Sequence, residues 1–209
     1  VGVLAILALV APLISPQDPY DLAQLDIMDG RLAPGATSMN GMVYLLGTDD
    51  QGRDLFSGIL YGLRTSILVG IISAAVAIVI GTCVGLLSAY AGGRVDALLM
   101  RIVDIQLSFP AILVALIFLA ILGQGVDKII IALVVTQWAY YARTVRGSAL
   151  VESRRAYTDA ARSMALSDKR IIFRHILPNC VPPLIVVATM RIAYAIMLEA
   201  TLSFLGIGL

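Results

Sequence analysis

From Thr65 to Ala91 the chain carries no charged side chain at all, and this run limits the possible folds more than any other feature. A helix of that length rises roughly 40 Å, enough to cross a hydrocarbon layer about 30 Å thick with some tilt. A helix on the surface of a soluble domain would carry a polar face over the same distance. A second uncharged block runs over 105–126. A third, over 129–142, is shorter and spans only if Lys128 and Arg143 extend outward along their long stems. The fourth, 176–203, carries Pro178, Pro182 and Pro183 at its start and Arg191 and Glu199 inside it. The opening stretch, 1–15, is apolar but short of the roughly 17 residues a span needs, and it reads as the outer half of a helix whose beginning is missing. Charged residues make up 14% of the 209, against roughly 25% in soluble domains. The fold expected is all-α, a polytopic transmembrane helical bundle with about five spans lying in a lipid bilayer.

Charge placement gives the orientation. Asp18, Asp21, Asp26, Asp29, Asp49, Asp50 and Asp54 outnumber Arg31, Arg53 and Arg64 over 16–64. Over 143–175, Arg143, Arg146, Arg154, Arg155, Arg162, Lys169, Arg170 and Arg174 outnumber Glu152, Asp159 and Asp168. The positive-inside rule puts the basic segment in the cytoplasm and, counting crossings back, the acidic one outside. The same rule accounts for the basic residues without any nucleic acid, so none is expected as a partner. Five crossings leave the C-terminus outside, which suggests that a final span is absent from the sequence.

Several chemistries find no residues here. A phosphate-cradling P-loop ends in Gly-Lys-Ser/Thr, and the chain has no Gly-Lys pair. Proteolysis at bilayer depth needs a Ser–His pair, two aspartates or a zinc motif. The lone histidine, His175, sits in the basic segment, and no carboxylate pair lies inside the blocks. Cys83 and Cys180 make no framework and no CxxC. No catalytic residue, cofactor or metal site is expected, and any ATP that drives the protein is hydrolysed by another polypeptide.

Three segments are informative. Ser73, Ala77, Gly81, Gly85, Ala89 and Gly93 recur every four residues, which stacks them on one helix face and lets another backbone come close. The spacing does not distinguish a partner helix in this chain from one in another subunit. The run Leu46-Gly47-Thr48-Asp49-Asp50-Gln51-Gly52-Arg53-Asp54-Leu55-Phe56-Ser57 has the density of glycine and aspartate that makes turns, with carboxylates in local reach of Arg53. Last, 157–166 has a helical pattern in which Ala161 and Ala165 stack four apart, with Asp159 and Arg162 on a neighbouring face. Ser167-Asp168 then caps a helix that starts near Lys169 and ends at Ile176-Leu177-Pro178-Asn179. A short helix with a small-residue face suits a groove on a partner; the alternative is a helix folded back on its own bundle.

Asp159-Ala160-Ala161, then Ala165, then His175-Ile176-Leu177-Pro178 resembles the EAA motif of binding-protein-dependent ABC importer permeases. Gly47-Thr48-Asp49 with Gly52-Arg53-Asp54, and Phe204-Leu205-Gly206-Ile207-Gly208, resemble the dipeptide, oligopeptide and nickel branch of that family. Asp159 stands for the family's usual glutamate and Ala165 for its usual glycine. The resemblance implies a type I importer permease fold with six spans in the full-length protein, in the bacterial inner membrane. It implies two parts, 1–64 with a partial first helix and an extracytoplasmic loop, and 65–209 as the transmembrane domain with a cytoplasmic coupling loop at about 143–178. It also implies that Asp159, Ala160, Ala161, Met164, Ala165 and Leu166 form a coupling helix that docks on a cytoplasmic ATPase, held by a corner at Pro178. A second permease subunit and an extracytoplasmic solute-binding protein complete the set. The substrates implied are di- and oligopeptides or a related solute such as a nickel complex or glutathione. On this reading Ala161→Glu uncouples ATP hydrolysis from uptake.

Arg191 and Glu199 are eight residues apart, roughly 80° round a helix and 12 Å along it, and so are not a direct pair. Charges at such depth face a watery path or a protein partner, or else Glu199 simply reaches the outer interface. A stand-alone secondary transporter or channel is the alternative function, and it would show ionisable relays or broken helices in both halves of the chain. A membrane scaffold is a third reading and needs neither coupling helix nor ATPase.

Overall fold

The computed structural model describes residues 2–38 and 41–206. These form two compact units, Val1–Leu68 and Val69–Leu209. The boundary falls inside one long helix.

The first unit holds helix α1 (Gly2–Ile14), two 3-10 turns (Leu22–Gln24 and Ile27–Asp29), a small hairpin of β1 (Ala36–Thr37) and β2 (Val43–Tyr44), and the start of α2 (Leu55–Ala91). Aspartates shape the loop through side-chain caps. Asp21 accepts from the amide of Ala23, and Asp26 from that of Met28. Asp49 Oδ1 accepts from the amides of Gln51 (2.8 Å) and Arg53 (2.9 Å). Asp54 opens α2, its Oδ2 accepting from the amide of Ser57 at 2.9 Å and from the Ser57 hydroxyl at 2.5 Å. The buried Gln17 amide ties the turn together, accepting from the Asp54 amide at 2.7 Å and donating to the Gln24 carbonyl at 2.9 Å. The two glycines of the Gly-Thr-Asp-Asp-Gln-Gly run are required by the backbone. Gly47 has φ +81° and Gly52 φ +77°, and a Cβ would sit 2.4 Å from the Leu32 carbonyl oxygen or 2.0 Å from that of Asp26. The Tyr44 hydroxyl donates to Asp29 at 3.0 Å, and burial, with Asp29 adding to it, pushes the Tyr44 pKa up to about 12. At the surface Arg31 grips Asp50 with two hydrogen bonds, 2.6 and 3.1 Å, which holds that carboxyl below its usual range. The expected partners of Arg53 do not materialise: Asp49 is engaged by backbone amides, and Arg53 Nε is buried without a partner among the described residues.

In the second unit, α3 (Gly93–Ser108), α4 (Ala111–Leu122) and α8 (Leu177–Phe204) all pack on α5 (Val126–Glu152). Gly81 and Gly85 of the periodic small residues face α5, whereas Gly93 falls past the end of α2, at the start of α3, with φ +52° and nothing within 4 Å of a Cβ. A Cβ on Gly81 would lie 2.5 Å from Tyr141 Cβ and 2.6 Å from the Trp138 carbonyl oxygen, and one on Gly85 2.6 Å from the Ala142 carbonyl oxygen. The stripe's partner is therefore within this chain.

Among the described residues, two helical stretches, α2 and the continuous run Asp168–Phe204, are long and apolar enough to cross a membrane. The α3–α4 pair passes the same test taken together but is bent by 90°. The 105–126 block is thus not the straight span its lack of charge suggested. Pro110 has no amide hydrogen and crowds the residue before it, and Phe109 leaves the helix at φ −92°, ψ 140°. The 129–142 block is one part of the longer α5, and Arg143 and Arg146 lie on that helix rather than in a loop. Arg143 pairs with Asp104 of α3. Arg146 makes two bonds to Asp96 of α3, 2.5 and 2.6 Å. Nor does the helix that begins near Lys169 stop at Asn179. A π-turn over Ile172–Ile176 carries it straight into α8. Pro178, which cannot donate to the ladder, follows that turn as the second residue of α8, and the helix runs on through it without a corner.

Candidate functional site

The segment after α5 builds a ledge of two short helices, α6 (Ala156–Ser163) and α7 (Asp168–Ile171). The base of α6 is tied to both long helices. The Thr158 hydroxyl, fully buried, donates to the Glu152 carbonyl at the end of α5, 2.8 Å away. Tyr157 donates to the Glu152 carboxylate and accepts from Asn179 Nδ2 of α8 at 3.2 Å. Burial and then the Glu152 carboxylate raise the pKa of the Tyr157 hydroxyl, so it remains a donor at neutral pH. Asn179 also donates to the His175 carbonyl at 2.6 Å. Helix α6 is thereby bonded to the ends of both α5 and α8.

The end of α6 is closed by a Schellman motif. The Ala165 amide bonds the Arg162 carbonyl at 2.9 Å and the Leu166 amide bonds that of Ala161 at 3.2 Å. Ala165 takes the left-handed conformation the motif needs, φ +53°. Leu166 and Ala161 both pack into the core that includes Leu86, Ile171, Ile176 and Cys180.

These contacts sort the six expected coupling residues. Asp159, Ala160, Met164 and Ala165 are exposed, Met164 at 74%. Asp159 pairs weakly with Arg162 at 3.4 Å. Ala161 is buried at 3% and Leu166 half-buried, and both face this chain's own bundle. The expected stacking of Ala161 under Ala165 is not found, because α6 ends at Ser163 and Ala165 has left the helix. The left-handed angle at Ala165 is one that glycine adopts without strain. Ala161→Glu would bury a carboxylate in the core and so fails as a test of docking.

Inside the bundle, the carboxylate of Glu199 is buried at 2% and accepts from the Ser203 hydroxyl at 2.9 Å; it does not reach an outer interface. Arg191 lies against the ring of Tyr140, its Cζ 3.2 Å from the centroid. No local pattern announces that stack, since Tyr140 is 51 positions away on another helix. Of Phe204-Leu205-Gly206-Ile207-Gly208, the last two lie outside the described residues.

Residues 77–209 match the family described as binding-protein-dependent transport system inner membrane component. A Brucella suis biovar 1 permease protein named for peptide transport is 47% identical over 181 residues, 84% of this chain and 61% of that protein. The glutathione transport system permease protein of Pectobacterium atrosepticum is 43% identical over 190 residues, 91% of this chain and 62% of its own length. The chain therefore spans about three fifths of these relatives. An inward-facing structure of the MetNI methionine ABC transporter superposes with a TM-score of 0.63 at 25% identity, covering 70% of this chain and 74% of that one.

Proposed function

The chain belongs to the family of binding-protein-dependent transport system inner membrane components, and on that premise we propose that it is the permease subunit of an ATP-driven importer for di- and oligopeptides or a related small solute such as glutathione. Relatives named for peptide and glutathione transport support the solute class. The observation that carries the mechanism is the ledge: α6 is bonded at its base to Glu152 of α5 and Asn179 of α8, and turns Asp159, Ala160 and Met164 outward. A short helix gripped by two long ones converts a shift of its docking partner into a rigid-body movement of the bundle. On this reading a cytoplasmic ATPase receives the exposed face, with Ala161 and Leu166 supporting it from behind. A second permease subunit completes the path and an extracytoplasmic binding protein delivers the solute. The part before residue 65 serves as an outer loop and the part from 65 to 209 as the transmembrane domain. Neither catalysis nor a cofactor is assigned to this subunit.

Tagged full-length protein, solubilised mildly, is expected to bring down a P-loop ATPase and a second permease, as identified by mass spectrometry. A homo-oligomer with no ATPase would overturn the importer reading and favour a stand-alone transporter or channel.

A further inference from the structure

Arg191 lies near the middle of α8, a helix of 28 residues, and so about 20 Å from either end. A guanidinium at that depth is costly unless its surroundings compensate for the lost water. Two rings do so in part: Tyr140 from α5 at 3.2 Å and Tyr194, one turn on, at 5.6 Å from Arg191 Cζ to the centroids. Ring faces attract a cation but leave the guanidinium's in-plane N–H donors unused. No ion pair among the described residues reaches Arg191; the α3 carboxylates Asp96 and Asp104 are held by Arg146 and Arg143.

A second polar group lies one turn from Tyr140. Gln137, on the same side of α5, is 1% exposed, and neither its amide nitrogen nor its amide oxygen has a partner among the described residues. Buried amides are rarely left so. Helix α8 therefore carries a cation stacked on Tyr140 of α5, and α5 carries an unsatisfied buried amide one turn from that same ring.

We propose that Arg191, held by Tyr140 and Tyr194, is a contact for the carboxylate of the transported solute, and that Gln137 is its neighbouring polar contact. The inference rests on the peptide-importer reading, since peptides and glutathione have a free carboxylate in common. A guanidinium fixed on an aromatic face meets a carboxylate with two parallel N–H donors, a geometry that a lysine ammonium cannot reproduce. The solute's negative charge would supply what the rings do not.

The test uses the assembled transporter in proteoliposomes with its binding protein saturated, and compares ATP-dependent uptake of trialanine with that of trialanine C-terminal amide. The wild type is expected to favour the acid by about tenfold or more, as sites built around a polar group reject analogues lacking its partner. Arg191→Gln is expected to lose that preference. Arg191→Lys is expected to retain the preference with uptake about tenfold lower, because the charge stays but the two-pronged geometry goes. A wild type indifferent to acid and amide overturns the inference without recourse to any variant. An Arg191→Gln variant that still prefers the acid overturns it as well. If Arg191→Gln no longer assembles with the second permease while Arg191→Lys assembles and transports fully, the cation is matched by a partner's carboxylate and the inference falls. Absence of uptake of either peptide by the wild type would overturn the peptide-importer reading on which the inference rests, and the inference with it.

Discussion

A single backbone angle makes the alanine at position 165 a strained choice. Ala165 occupies the residue after the α6 cap at φ +53°, where a Cβ crowds the following carbonyl and costs roughly 1 kcal/mol relative to glycine. The Schellman bonds from Ala165 and Leu166 hold it there regardless. Ala165→Gly is therefore expected to stabilise the ledge by about 1 kcal/mol, since the same bonds form without that strain; glycine's greater freedom in the unfolded chain reduces the gain. Hydrogen exchange across 163–167 in the purified protein checks this, and faster exchange in the variant would contradict it. An alanine here is no sign of a helix end, because alanine favours the helix more than any other residue, and the pattern reads as helical through 166. The left-handed angle is set by where α6 must stop so that Leu166 returns to the core.

At the scale of helices, α2 and α5 depend on absent side chains. The Cβ of an alanine at Gly81 would meet the Trp138 carbonyl oxygen at 2.6 Å and Tyr141 Cβ at 2.5 Å. Neither is the free end of a flexible chain, so the helices must separate. Gly81→Ala is expected to destabilise by about 1–3 kcal/mol through overpacking, read as a lower midpoint in thermal unfolding in detergent. Gly147→Ala on α5 makes the contrast. A Cβ there meets nothing within 4 Å, so helix propensity alone acts and the variant is expected to gain roughly 0.5–1 kcal/mol. Equal losses in the two variants would refute the packing argument. The spacing of Gly81 and Gly85 already announced a close helix contact. That the contact is with α5, and that Arg143 and Arg146 of the same helix pair with α3, follows from the chain's return path, which periodicity does not encode. The bend at Phe109–Pro110 belongs to this scale too. Pro110 stood in plain view within an uncharged block, and counting charges alone passed over it.

For the whole molecule, what matters is how the ledge is exposed and how it is held. Met164 is 74% exposed and makes no packing contribution whose loss would unfold the bundle. In the assembled transporter Met164→Glu is expected to lower ATP-driven uptake about tenfold or more, as a charge is forced into an apolar docking contact. Membrane insertion and the unfolding midpoint should stay within about 0.5 kcal/mol of wild type, as for other surface changes. Normal uptake by this variant would refute the docking role of the exposed face. Ala161, by contrast, reports on folding, because it is buried in the core that includes Ile171, Ile176 and Cys180.

The sequence by itself determined the medium, the class and the family resemblance. Uncharged blocks demand a bilayer because a helix satisfies its own backbone there, and turn glycines, capping aspartates and the small-residue stripe are local or periodic signals. Only the tertiary structure decided which face of α6 is free, that position 165 takes a left-handed angle, and that Arg191 rests on Tyr140. Those facts depend on residues far apart in the chain being brought together by packing, and no local pattern in either segment carries that information.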